Sequence, residues 1–130
     1  HPDGRTGLPA LQRDLPPSSI PVAQCNNIYI FPGVGLAVTA VRATRVTDAM
    51  MTAAATAVGD AATIRHDPHG TLLPDRAQLA GTATAVARAV AKAAVADAVA
   101  PALTDDQIDQ AIDRTRWLPR YQADHRVVSR

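Results

Sequence analysis

Most apolar residues of this chain are small, and this limits the folds that it can adopt. The 130 residues are 47% hydrophobic by type, but aromatic residues make up only 3%, and alanine supplies much of the rest. Burial of apolar surface stabilises a fold by roughly 25 cal/mol per Å², and alanine buries little area. We therefore expect one domain with a thin core, which packs against something outside the chain.

Charge, hydropathy and cysteine content exclude some classes of function and some locations. The chain has 13 basic and 12 acidic side chains, a net charge of +1, and this does not favour a nucleic-acid surface. Arg88, Lys92 and Asp97 interrupt the longest apolar stretch, so we expect no membrane-spanning segment. No signal peptide is recognisable at the N-terminus. The single cysteine, Cys25, cannot form an internal disulfide, and we expect a reducing, cytoplasmic location.

Helix-capping residues predict most of the secondary structure. Thr47 is a good N-cap for a helix over 48–58, which Gly59 would end. Asp75 and Gln78 resemble a capping box that opens a long helix, which should end near Ala100 because a proline follows.

A further capping box is formed by Thr104 and Gln107, and it predicts a helix over 105–116. Ile108 and Ile112 should be its buried pair. Its four acidic residues are expected to form a solvated face; they are Asp105, Asp106, Asp109 and Asp113.

The start of the helical region is ambiguous. Residues 28–31 combine β-branched and aromatic side chains, which weakly favours a strand. Pro32 would then lie in the first turn of a helix. Alternatively, the helix begins nearer Asn27 and is distorted at Pro32.

Asn26 and Asn27 are the candidate site residues. Adjacent carboxamides offer donors and acceptors without charge, which suits a small polar ligand near a helix start. Asparagine also favours turns and helix caps, and the residues alone favour that interpretation.

Three other patterns carry less functional weight. Gly33 and Gly35 invite comparison with a dinucleotide-binding loop, but the third glycine is missing, so close helix packing is favoured. His66 and His69 are expected to lie in an exposed loop rather than to bind zinc. Cys25 is expected to be a small packed thiol.

The run 24–36 closely resembles a segment of the malic enzymes. Its Asn-Asn-Ile-Tyr-Ile-Phe-Pro-Gly sequence is highly specific, whereas Ala-rich matches alone would mean little. Other segments resemble the same family in the same order along the chain; they are 3–5, 43–50, 70–74, 87–98 and 117–121.

This resemblance implies a fold class and a chemistry. The class is α/β: a C-terminal, mostly α-helical portion of a Rossmann-type NAD-binding domain, with most of the sheet missing. Malic enzymes oxidise malate to pyruvate and CO2 with NAD or NADP and with Mg²⁺ or Mn²⁺, and they usually form homo-oligomers. The first asparagine of the pair corresponds to Asn26, which would contact substrate or nicotinamide, with Asn27 as a weaker candidate beside it.

The resemblance also divides the chain. It assigns 23–121 to the C-terminal part of the malic enzyme NAD-binding domain, while composition predicts an irregular Pro/Gly-rich arm over 1–22 and a polar tail over 122–130. Trp117 and Tyr121 should anchor the C-terminal segment. The family's catalytic Tyr and Lys, its metal ligands and its dinucleotide loop have no counterpart in this sequence. We therefore expect a fragment that is inactive alone, or alternatively a non-catalytic helical interaction module or a degenerate relic.

Overall fold

A computed structural model describes residues 25–116 of the chain. Within this range the regular structure is helical and no strand is present. The α-helices are α1 (Phe31–Val41), α2 (Asp48–Asp60), α3 (Leu79–Ala96) and α4 (Asp105–Thr115), and short 3-10 turns lie at Asn27–Tyr29, Thr63–Arg65 and Arg76–Gln78. The mostly helical character that the resemblance implied is present in this part of the chain.

The weak strand expected over residues 28–31 is not formed. The 3-10 turn Asn27–Tyr29 leads directly into α1, and Pro32 lies in the first turn of that helix. Proline is well tolerated there because the first N–H groups of a helix have no partner within the helix. Each alternative is therefore correct in part: helical structure begins near Asn27, as the second expected, but α1 itself starts at Phe31 with Pro32 in its first turn, as the first expected.

The helix α3 lies at the centre of the fold. It packs against α1 and α2 along much of its length, and α4 packs against both α1 and α3. The buried side chains are mainly Ala and Val, and this agrees with the thin core expected from composition. The largest fully buried side chains are those of Met50, Ile108, Ile112, Val41, Val86, Val90 and Pro74.

The helix starts follow the capping residues closely. Thr47 Oγ1 accepts a hydrogen bond from the Met50 amide at 3.2 Å and caps α2. Thr104 Oγ1 accepts from the Gln107 amide at 3.3 Å, while Gln107 Oε1 accepts from the Thr104 amide at 2.9 Å. Asp75 caps the 3-10 turn that precedes α3, not α3 itself.

Two helix ends differ from the sequence-based expectation. The helix α2 continues through Gly59 to Asp60, and α3 ends at Ala96 instead of near Ala100. Ala98 adopts a left-handed φ of 55°, and the Val99 amide donates to the Ala94 carbonyl oxygen at 3.1 Å. This geometry closes the helix end without the glycine that usually signals it.

The segment Arg76–Ala96 is long and apolar enough to cross a bilayer, by length and composition only. The sequence-based expectation was that charged residues rule out a membrane-spanning segment here. In the fold this segment contains the central helix, and Val86 and Val90 are fully buried in it. The core helix of a globular domain meets the same criteria. The predicted arm over 1–22, the polar tail over 122–130 and the anchors Trp117 and Tyr121 lie outside the described residues.

Candidate functional site

Asn26 caps the turn that precedes α1. Its Oδ1 accepts a hydrogen bond from the Ile28 amide at 2.8 Å, and its backbone is extended with a φ of −149°. The capping role that the residues alone favoured is therefore present. Asn27 is the first residue of the turn, and its side chain is exposed.

A cavity of about 460 Å³ lies between this turn and the loop that joins α2 to α3. Asn26 lines it, whereas Asn27 does not. The turn and the loop both contribute polar and apolar groups. The lining residues are Asn26, Ile28, Tyr29, Thr63, Asp67, Gly70, Thr71, Pro74, Asp75 and Arg76.

The loop beside the cavity is held by a pair of threonines. The Thr71 amide donates to Thr63 Oγ1 at 2.8 Å, and the Ile64 amide donates to the Thr71 carbonyl oxygen at 3.0 Å. Thr71 Oγ1 in turn donates to the Leu73 carbonyl oxygen at 2.6 Å. These bonds join the two sides of the loop and fix the shape of one cavity wall.

Gly70 permits this close approach. A Cβ at this position would lie 2.6 Å from the Thr63 carbonyl carbon and 2.7 Å from the Ile64 nitrogen. Such contacts are too short for any side chain, so the backbone would have to move.

Charged groups of both signs line the cavity. Asp67 Oδ1 accepts from the His69 amide at 2.9 Å, and Asp75 Oδ1 accepts from the Ala77 amide at 3.4 Å. Arg76 also lines the cavity, and a guanidinium is able to bind a carboxylate through two parallel hydrogen bonds. Together with the Asn26 amide, this set is suited to a small polar ligand.

Gly33 lies in a helix contact and not in a dinucleotide-binding loop. A Cβ on Gly33 would lie 2.6 Å from Val86 Cβ and 2.8 Å from the Ala83 carbonyl oxygen, so α1 and α3 touch there. The prediction of close helix packing is confirmed for Gly33. It does not extend to Gly35 among the described helices, because no atom of the described residues outside α1 lies within 4 Å of a Cβ placed there.

The remaining candidate site residues, two histidines and one cysteine, are exposed and form no metal-binding cluster in the described part of the chain. His66 and His69 are exposed in the loop, as expected. In the part of the chain that the structure describes, no three His, Cys, Asp or Glu side chains come together to hold a metal ion. Cys25 is exposed, which corrects the prediction of a packed thiol: it precedes the first turn, before the helices begin.

The acidic face of α4 is partly paired with α3, and the sequence-based expectation of a solvated face did not include this pairing. Asp109 Oδ1 accepts from Arg88 Nε at 2.6 Å, and Asp105 Oδ2 accepts from Lys92 Nζ at 2.8 Å. The hydrogen bond to Asp109, and then its charge, raise the pKa of Arg88 above its ordinary value. Arg88 and Lys92 are four residues apart on α3, and Asp105 and Asp109 are four residues apart on α4. This matching helical spacing was the sequence signal that could have predicted the two ion pairs.

Comparison with known proteins identifies a family. Residues 5–95 match the family described as "Malic enzyme, NAD binding domain". The NAD-dependent malic enzyme of Edwardsiella ictaluri is 46% identical over 107 residues, which cover 82% of this chain and 19% of that protein. The enzyme of that name from Pseudomonas aeruginosa strain LESB58 is 42% identical over 122 residues, which cover 94% of the chain and 22% of that protein.

The match includes both walls of the cavity. The turn at Asn26 and the loop through Arg76 fall within residues 5–95, whereas α4 lies beyond them. The chain spans about a fifth of the length of these relatives. On these matches, the chain belongs to the malic enzyme family, in the part that carries its NAD-binding domain.

Proposed function

We propose that this chain forms part of the malate- and cofactor-binding region of an NAD-dependent malic enzyme. The observation that carries the proposal is the polar cavity beside Asn26, formed by two segments of the family-matched region. In the proposed reaction malate is oxidised at C2, and its β-carboxylate leaves as CO2. When bound, NAD accepts the hydride and a divalent metal ion polarises the new carbonyl group.

The two asparagines have different proposed roles. Asn26 Oδ1 is engaged in holding the turn, so the Nδ2 donors are the atoms through which Asn26 would bind an oxygen of malate or of the nicotinamide amide. Asn27 is exposed at the start of the same turn, and its carboxamide would bind from outside the cavity. The cap therefore fixes the position of the Asn26 amide relative to the turn that leads into α1.

The metal ion is not assigned to this chain. Residues 25–116 bring no three metal-ligating side chains together, and Gly33 is in helix packing. We propose that Mg²⁺ or Mn²⁺ and the dinucleotide phosphates are bound by the remaining four fifths of a malic enzyme. Homo-oligomerisation and a cytoplasmic location, with neither nucleic acid nor membrane as partner, complete this proposal.

The test is a chimera in which residues 5–116 replace the matching segment of the Pseudomonas aeruginosa enzyme. Asn26→Asp keeps an acceptor for the Ile28 amide but removes the Nδ2 donors and adds a negative charge near an anionic ligand. We expect Asn26→Asp to lower kcat/KM for malate by at least about tenfold, since a lost hydrogen bond to a charged group costs about 1.5–3 kcal/mol. Asn27→Ala tests the second amide in the same assay.

The control for the added charge is Asn26→Ser, which keeps a capping oxygen and removes the Nδ2 donors without adding charge, so a loss of activity in both variants is due to the lost donors. If Asn26 only caps the turn, Asn26→Asp and Asn26→Ser will both retain activity and thermal stability. In that case Asn26 has no ligand role, and a loss confined to Asn27→Ala would assign the contact to Asn27. An inactive but folded parent chimera would contradict the proposed function itself.

A non-catalytic interaction module is the second candidate. Leu72 is 75% exposed and Phe31 is 56% exposed, so both large apolar side chains are available to pack against a partner. Under this alternative, the substitutions of Asn26 and Asn27 are near neutral. Replacement of Phe31 and Leu72 by Ser would instead abolish binding to the remaining part of the enzyme.

A further inference from the structure

A groove of about 610 Å³ lies on the side of the fold formed by α1, the start of α3 and the end of α4. From α1 it takes Pro32, Gly35 and Leu36, and from α3 it takes Ala80 and Ala83. It is separate from the cavity at Asn26, with which it shares no lining residue.

The threonines that line the groove do not make it polar. The hydroxyls of Thr39, Thr84 and Thr115 each donate to the carbonyl oxygen four residues earlier in the same helix, at 2.9, 3.0 and 2.8 Å. Their donors are already used, and each side chain adds a methyl group to the surface. Arg116 is the one charged residue of the lining.

Gly35 leaves room at the floor of this groove. No atom of the described residues lies within 4 Å of a Cβ placed on it, although it sits in the interior of α1. Glycine inside a helix costs about 1 kcal/mol relative to alanine, and Gly35 gains no helix contact in return. Space kept open beside an apolar wall is what a bulky apolar occupant requires.

We propose that the occupant of this groove is the segment of this chain that follows α4, with the Trp117 indole and the Leu118 side chain seated in it. Arg116, the last described residue, itself lines the groove. A residue spans at most about 3.6 Å of chain, so Trp117 and Leu118 start within a few ångströms of the groove. A tryptophan buries about 150–250 Å², roughly the scale of contact such a groove offers.

The covalent connection favours this occupant over a second copy of the chain. A segment tethered beside its binding groove has an effective concentration of about millimolar, which a free partner at ordinary concentrations does not reach. Docking would also cover the first turns of α1 and α3 beside the end of α4. The segment would then contact all three helices, which already pack against one another.

The single tryptophan of the chain makes the proposal directly measurable. In the full 130-residue chain we expect blue-shifted tryptophan emission and protection from iodide quenching. Gly35→Leu fills the groove and should shift the emission to the red and raise quenching. Gly59→Leu is the matched control, because Gly59 is also a helical glycine with open space around it, and it should change neither.

Far-UV circular dichroism shows whether each variant keeps its helices. If Gly35→Leu loses helicity, Ala80→Leu on the exposed opposite wall takes its place. Solvent-exposed emission in the helical wild-type chain would overturn the proposal, as would emission unchanged by both leucine substitutions. A blue shift that disappears on dilution would also overturn it, because a second copy would then be the occupant.

Discussion

Gly33 shows how one residue sets the distance between two helices. A Cβ there would lie 2.6 Å from both Val86 Cβ and Val86 Cγ1, and Val86 is fully buried in α3. We expect Gly33→Ala to lower the free energy of unfolding by about 1–3 kcal/mol, because overpacking outweighs the gain in helix propensity. Urea denaturation followed by circular dichroism measures this.

Gly81 provides the control for that substitution. It lies in α3, and no atom of the described residues is within 4 Å of a Cβ placed on it. Gly81→Ala should therefore stabilise the chain by up to about 1 kcal/mol. Equal effects of the two alanines would mean that α1 and α3 are not in contact at Gly33.

At the scale of elements, the capping box of α4 is a local device that can be tested alone. Thr104 and Gln107 exchange two hydrogen bonds at the start of the helix. Thr104→Ala should cost about 1 kcal/mol of stability, while Thr104→Ser should be nearly neutral because its hydroxyl can still cap. Thermal unfolding of both variants distinguishes the lost cap from a general effect of substitution.

The loop between α2 and α3 depends instead on a close backbone approach. Gly70→Ala would separate the segment at Thr71 from Thr63 and Ile64, and so break the bonds from the Thr71 and Ile64 amides. We expect faster hydrogen exchange at these two amides with the helices retained. Gly59→Ala, in open space, should leave their exchange unchanged; protection that survives Gly70→Ala would contradict the described loop.

At the scale of the whole molecule, the proposed function has this chain supply a polar cavity and the remaining part of a malic enzyme supply the metal site. Residues 25–116 bring no metal-ligating group of three side chains together. We expect the chain alone to show no malate-dependent reduction of NAD, with the intact Pseudomonas aeruginosa enzyme as the positive control. Turnover by the purified chain, abolished by Asn26→Asp, would overturn this expectation.

Part of this fold could be predicted from the sequence because its causes are local. Thr47 and Thr104 each cap through a group three residues away, and Pro32 is compatible with a helix start whatever surrounds it. The run 24–36 was specific enough to indicate the family by its residues alone. The end of α3 was mispredicted because Ala98, not glycine, takes the left-handed conformation.

Only the tertiary structure determines which residues far apart in the chain come into contact. The Thr44 amide donates to the Val99 carbonyl oxygen at 2.8 Å, and Arg88 pairs with Asp109 across two helices. The cavity joins Asn26 to a loop that follows α2, much later in the chain. Helical periodicity shows which face of a helix is apolar, but which helix covers that face depends on how side-chain volumes fit together.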